Sequence, residues 1–173
     1  MSPIDRWNET ADLFDARVRQ IEGSKWGDPT PCPEWNVEAL VNHVAGTHTF
    51  FGSHLGLQDV GPKWRDVRQA MAGLLEEADA LSGTAEVPGM GEMPKTAILD
   101  ICTYDMLIHT WDLSRAIGAD DTLPPDTAEA CFAWLQTLPP AIMRAPGRFG
   151  DAIPVGTDAD AQTRLLAYAG RKR

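Results

Sequence analysis

The chain has few cysteines, and they do not form a familiar framework. Cys32, Cys102 and Cys131 are odd in number and widely spaced along 173 residues. This spacing excludes a disulfide framework and a C-x-x-C metal knuckle. We therefore expect three reduced, partly buried thiols that pack as small hydrophobic side chains.

Excess positive charge and long apolar runs are also lacking. There are 15 basic and 25 acidic residues, which gives a net charge of −10 and a pI of about 4.7. Such a charge opposes binding to nucleic acid phosphates and to anionic lipid surfaces. No apolar stretch approaches the roughly 20 residues that a membrane span needs, and the N-terminal stretch does not have the layout of a secretory leader. We expect a cytoplasmic protein with no nucleic acid partner and no membrane association.

Strand-like alternation is scarce, whereas helical spacing runs through most of the chain. Apolar residues recur at intervals of three and four, which predicts helices over 4–21, 36–55, 64–81, 95–118 and 127–137. A short final helix is expected to begin at Asp158 or Asp160 and to end at Gly170. The stretch 82–94, rich in glycine and proline, is interpreted as a mobile loop. The predicted fold class is all-α, a single domain over 1–173 with a four-helix bundle and one or two extra short helices.

Residues 104–113, YDMLIHTWDL, place an acid and an imidazole on the most buried predicted helix. Residues four apart on an α-helix lie one turn above each other, so Asp105 and His109 project from the same face. That face also carries apolar residues, where an unpaired charge is unfavourable. His43, on the apolar face of the second helix, is the candidate third member, because a bundle interior can bring two facing helices into contact.

Two imidazoles and one carboxylate with an open position are typical of catalytic rather than structural zinc sites. A divalent cation would also keep the carboxylate ionised. The alternative is a hydrogen-bonded pair of Asp105 and His109 that only fixes packing, because this spacing is common by chance. His48 and His54 are interpreted as surface residues or as neighbours that support a ligand.

Three further residues of this helix belong to the candidate site as supporting or pocket residues. Asp112 can orient His109 through a hydrogen bond, or it can form a salt bridge with Arg115, which is the interpretation we favour. Trp111 is interpreted as a core or pocket-wall residue. We find no separate general base, so no catalytic residue is assigned.

Three motifs in order give the chain a family resemblance. PTPCPEWNVEALVNHVAG, DMLIHTWDLSRAIG and FGDAIPVGTDADAQTRLLAYAGR resemble segments of the actinobacterial DinB/YfiT-like family related to the metal-binding domain of mycothiol-dependent maleylpyruvate isomerase. The resemblance covers nearly the whole chain. It implies a DinB-like four-helix bundle with a divalent metal at one end of its interior, held by His43, Asp105 and His109. Zinc is the metal we expect, with nickel or iron as alternatives.

The resemblance also implies thiol chemistry. In the isomerase a metal-activated mycothiol thiolate adds to a cis double bond, allows rotation and leaves, whereas related S-transferases stop after transferring the thiol to an electrophile. This chain has Asp105 where the isomerase usually has Glu, and we expect it to lack the isomerase's second domain.

The function we expect is a mycothiol-dependent isomerase or S-transferase, with mycothiol as cosubstrate and a small thiol or electrophile as partner. The alternative is a noncatalytic small-ligand-binding or dimeric assembly module with a structural Asp-His network. Helical bundles of this kind often dimerise, so a homodimer is also expected.

Overall fold

The computed structural model describes residues 1–139, 141, 144 and 149–173. Its helices are α1 (Pro3–Val18), α2 (Val37–Leu55), α3 (Trp64–Leu75), α4 (Lys95–Ile117), α5 (Pro125–Thr137) and α6 (Ala161–Tyr168). A single 3-10 turn covers Gly23–Lys25, and the strands β1 (Thr84–Val87) and β2 (Gly91–Pro94) form an antiparallel hairpin. Two compact units divide the chain, 1–121 and 122–173, and the single domain predicted over 1–173 stays a prediction.

Local signals at the helix ends explain several of these bounds. Asn36 begins α2, because its side-chain oxygen accepts a hydrogen bond from the Ala39 N–H at 2.8 Å. Asp160 begins α6 in the same way through the Thr163 N–H at 2.6 Å. Gly118 ends α4 with a left-handed φ of 74°, as its position after the last apolar residue predicts.

Two helices are shorter than their apolar spacing predicts. Helix α1 ends at Val18 rather than at residue 21, and α3 ends at Leu75 rather than at residue 81. Residues 76–81 form turns, in which the Ala80 N–H donates to the Glu77 carbonyl at 3.2 Å. Ala80 is nevertheless buried, because a turn can carry an apolar side chain into the core as a helix does.

Within the stretch 82–94, which was predicted to be a loop, residues 84–94 form a β-hairpin, so the mostly helical protein also contains a small two-stranded sheet. Its register runs from Thr84 opposite Pro94 to Val87 opposite Gly91. Gly89 and Gly91 adopt positive φ angles of 77° and 79°, which the tight turn requires. Val87 is the fully buried residue of the two strands. Each strand alternates exposed and inward-facing residues, but four residues are too few for periodicity to identify a strand.

The core of the unit 1–121 lies between its four helices. Helix α4 packs against α1 and α2, while α3 packs against α2 and α1. As predicted, α4 carries more buried residues than any other described helix. In the unit 122–173, α5 packs against α6. The protein is therefore mostly helical, and the DinB-like four-helix bundle stays a prediction. No helix among the described residues has the length and apolarity to span a membrane.

Candidate metal centre

Helices α2 and α4 bring His43, Asp105 and His109 together inside the unit 1–121. His43 Nε2 lies 3.2 Å from Asp105 Oδ1, and His109 Nε2 lies 3.5 Å from the same oxygen. The centroids of the two imidazole rings are 5.0 Å apart. One donor atom from each residue lies within 4.8 Å of the other two, a spacing compatible with one shared cation. That these residues hold a metal stays a prediction.

The position of each side chain follows from its helix. Asn36 begins α2, so His43 lies in the second turn of that helix. Asp105 and His109 are one turn apart in α4 and project from one face of it. Because α2 packs against α4, the imidazole from one helix meets the carboxylate and imidazole from the other.

Exposure increases across the site from α4 toward α2. The exposed fraction is 8% for the His109 side chain, 22% for Asp105 and 32% for His43. His109 is therefore the most enclosed of the three side chains, and His43 is the one that solvent reaches most.

Asp105 has one oxygen that the surrounding residues leave unsatisfied. Its Oδ2 atom is buried and has no hydrogen-bond partner among the described residues. A buried acceptor without a partner is unfavourable by about 1–3 kcal/mol, and a cation would remove that cost. Imidazole nitrogens and a carboxylate oxygen are also donors that suit zinc, nickel and iron. The residues present therefore fit a divalent cation.

Charge governs the protonation of this cluster. Burial by itself raises the pKa of Asp105, but the neighbouring His109, and then His43, hold that pKa well below its usual range. Burial lowers the pKa of His109, but Asp105 and hydrogen bonds with Asp112 and Cys32 raise it well above its usual value. Without a metal, Asp105 and His109 therefore form a carboxylate–imidazolium pair, and a cation at the site would compete with the proton on His109.

Asp112 contacts His109 rather than Arg115. Its fully buried carboxylate oxygen Oδ2 accepts a hydrogen bond from His109 Nδ1 at 3.0 Å. The half-exposed Arg115 pairs instead with Asp121 at 3.2 Å, and its guanidinium lies 5.7 Å from the centre of the Trp111 ring. The predicted salt bridge between Asp112 and Arg115 was therefore wrong, because Asp112 points into the core and Arg115 points out of it. Trp111 is a buried core residue.

Cys32 and Trp35 also lie at the site, although neither was predicted to have a definite role there. Cys32 Sγ donates to Asp112 Oδ2 at 3.2 Å and lies 4.0 Å from His109 Nδ1. The Trp35 ring centre lies 4.2 Å from that of His43 and 5.3 Å from that of His109. Both residues lie in the proline-rich turn before α2. That turn has no periodic pattern that could have predicted its contact with α4.

His48 is not a surface residue, and it lies outside the donor cluster. It is fully buried on α2, and its Nδ1 donates to the Val44 carbonyl at 2.8 Å. Its ring centre lies 6.3 Å from that of Trp7 and 5.3 Å from that of Trp64. Burial lowers the pKa of His48 to about 4. The surface interpretation was wrong because α2 is buried on more than the face that carries His43.

His54 is partly buried near the end of α2, where its ring lies 5.4 Å from that of Phe50. It is not among the residues that converge on Asp105.

Similarity to known proteins identifies the family of this chain. Residues 7–63 match the model of the mycothiol maleylpyruvate isomerase N-terminal domain. Two Mycobacterium tuberculosis proteins are similar over nearly their full length: uncharacterized protein MT0763 of strain CDC 1551 / Oshkosh and uncharacterized protein Rv0738 of strain H37Rv. Each is 30% identical over 180 residues, covering 99% of this chain and 98% of the relative. The chain belongs to the mycothiol maleylpyruvate isomerase N-terminal domain family.

The match to this mycothiol maleylpyruvate isomerase domain covers only part of the candidate site. The matched segment contains Cys32, Trp35 and His43, whereas Asp105 and His109 lie beyond it. No solved structure gives a significant match.

Proposed function

We propose that this member of the family is a divalent-metal-dependent enzyme that activates mycothiol or a similar small thiol, as an isomerase or an S-transferase. The observation that carries this proposal is the convergence of His43, Asp105 and His109 on one accessible point. The family match over residues 7–63 supports the thiol as mycothiol.

The metal ligands in this proposal are His43 Nε2, a carboxylate oxygen of Asp105 and His109 Nε2. Zinc is the first candidate, and nickel or iron would accept the same donors. When bound, a divalent cation with an open position would lower the pKa of a thiol or water there and make the nucleophile available near neutral pH.

The chain's own residues would position the ligands and shape the approach. Asp112 holds Nδ1 of His109, so Nε2 faces Asp105. Trp35 covers one side of both imidazoles with an apolar surface that excludes water. The thiol and its electrophile would approach from the more exposed His43 side.

Two structural features belong to the same proposal. The packing of α4 on α1 and α2, with α3 on α2, supports a DinB-like four-helix bundle of α1 to α4. A homodimer stays a prediction, which sedimentation equilibrium of the purified protein would test.

Metal content is the first test. Protein stripped with a chelator and reconstituted separately with Zn²⁺, Ni²⁺ or Fe²⁺ should retain one ion per chain in elemental analysis. His43→Ala and His109→Ala should retain none, whereas His54→Ala, a histidine of α2 outside the cluster, should behave as the wild type. A reconstituted wild type without bound divalent metal would contradict the proposal.

Thiol chemistry is the second test. Metal-loaded protein is incubated with mycothiol and a panel of electrophiles, including a cis-unsaturated diacid, while free thiol and products are measured. An isomerase changes the double-bond geometry without net thiol loss, whereas an S-transferase consumes one thiol per product. If metal and chelator leave the melting temperature unchanged while an apolar ligand raises it, the noncatalytic ligand-binding module is supported instead.

A further inference from the structure

His109 is held on the side away from His43 by two residues from different parts of the chain. Asp112 Oδ2 accepts hydrogen bonds from His109 Nδ1 at 3.0 Å and from Cys32 Sγ at 3.2 Å. Asp112 is 0% exposed, so its carboxylate depends on protein groups rather than bulk water. The three side chains form a continuous hydrogen-bonded series that leads from the turn before α2 to the imidazole of α4.

The turn that carries Cys32 holds the thiol in a defined place. Pro31 and Pro33 fix the backbone on both sides of it. The Cys32 N–H donates to Thr30 Oγ1 at 3.1 Å, and the Cys32 carbonyl accepts from the Trp35 N–H at 3.0 Å. The Cys32 side chain therefore loses little conformational entropy when its thiol contacts Asp112. This contact can hold the Asp112 carboxylate in one orientation.

We propose that Cys32 is a positioning residue of the metal centre and acts through Asp112. Its S–H group holds the Asp112 carboxylate in the orientation that accepts the His109 Nδ1–H, which directs Nε2 toward Asp105 and His43. The metal-affinity part of this inference rests on the proposed function. Cys32, which lies in another segment of the chain, then supports His109 through Asp112 and is more than a packing residue.

The geometry favours positioning over ligation by the thiol. Cys32, His109 and Asp112 could also hold a thiophilic cation, because one donor atom of each lies within 4.8 Å of the others. However, His109 Nδ1 and Cys32 Sγ both point at the same oxygen of Asp112, as two donors sharing one acceptor do. Nε2 of His109 meanwhile faces the other cluster.

The test compares Cys32→Ser, which keeps a donor, with Cys32→Val, which removes it at similar size. Cys102→Ala, which removes another thiol close to the site in sequence, is the control. Co²⁺ is the probe, because its absorption reports both affinity and coordination. Cys32→Val should bind Co²⁺ about 10-fold to 100-fold more weakly, whereas Cys32→Ser and Cys102→Ala should remain near the wild type. Thermal melts establish that each variant is folded.

A second readout needs no metal. In ¹⁵N-edited NMR spectra of the metal-free protein, the His109 Nδ1 proton should exchange slowly with water because Asp112 accepts it. Cys32→Val should accelerate this exchange, and Cys32→Ser should restore it. Failure of the wild type to bind Co²⁺ would count against the proposed function, and the exchange measurement would still decide the role of Cys32.

Two results would overturn the positioning role. A sulfur-to-cobalt charge-transfer band in the wild type that disappears in Cys32→Ser would make Cys32 a ligand. If Cys32→Val and Cys102→Ala have the same Co²⁺ affinity and the same exchange rate of the His109 Nδ1 proton, the Cys32 thiol is a packing residue only.

Discussion

Residues 1–121, which the structure describes in full, bury two histidines in opposite surroundings. His48 lies on α2 between the rings of Trp7 and Trp64. His109 lies on α4 between the carboxylates of Asp105 and Asp112. The exposed fraction of the whole residue is similarly small, 0% for His48 and 6% for His109, so burial does not distinguish the two.

Their protonation nevertheless differs. Burial lowers the pKa of His48 to about 4, so this ring is neutral at pH 7. Burial acts in the same direction on His109, but the carboxylates outweigh it and raise the pKa well above the usual value. A buried imidazole therefore becomes a packing group among aromatic rings and an ionic group among carboxylates. Neighbouring charge, rather than depth, decides which buried histidine can take part in chemistry.

The largest expected effect comes from removing the charge beside His109. In Asp105→Asn the carboxylate that both imidazoles contact becomes a neutral amide. Competition with a chromophoric chelator should show Zn²⁺ affinity reduced by about 100-fold or more. Asp121→Asn, which changes a carboxylate paired with Arg115, should retain the wild-type affinity. Equal affinities for the two variants would remove Asp105 from the ligand set.

The neutral histidine should make the fold sensitive to acid. The unfolded chain protonates His48 near pH 6.5, but the folded chain does so only near pH 4, so stability falls as the pH drops through this window. Between pH 7.5 and pH 5, His48 should lower the free energy of unfolding by about 2 kcal/mol. His109, whose pKa is raised, contributes in the opposite direction in both proteins, so the difference between variants isolates His48. In urea unfolding of metal-free protein, His48→Phe should lose about 2 kcal/mol less than the wild type over the same interval.

His54→Phe is the control for this measurement, because His54 is only partly buried on the same helix. It should follow the wild-type pH dependence. If His48→Phe also does so, the ring of His48 is not held neutral by its surroundings.

The charged histidine should link metal binding to proton release. Because the pKa of His109 is raised, its proton is still bound at pH 7.5 and must leave when Nε2 binds a cation. Zn²⁺ affinity should therefore rise with pH above 7, by up to about tenfold per pH unit. Calorimetry in two buffers of different ionisation enthalpy should count about one proton released per ion at pH 7.5. A count of zero would contradict the carboxylate–imidazolium pair.

The smallest effect is expected where a charge pair lies at the surface. Arg115 pairs with Asp121, and its side chain is 51% exposed, so solvent screens the interaction. Arg115→Ala should change the free energy of unfolding by about 1 kcal/mol or less and leave Zn²⁺ affinity unchanged. A clear loss of Zn²⁺ affinity would show that Arg115 supports the site as Asp112 does.

Much of this site follows from local rules. The four-residue spacing of Asp105 and His109 on an apolar helix predicts that they share a face, and both lie together in the structure. Helix ends at Asn36 and Gly118 follow equally from capping chemistry. The hairpin at 84–94 could not be predicted this way, because each of its strands has only four residues.

The sequence by itself determined the helical segments, the acidic surface charge and the pairing of Asp105 with His109, because each depends on neighbours within a few residues or on composition. Tertiary structure alone decided that Cys32 reaches Asp112, that Asp112 turns away from Arg115 and that His48 lies in the core. These three outcomes depend on which helix face packs against which partner. Sequence spacing predicts the apolar face of a helix but not the element that packs against that face.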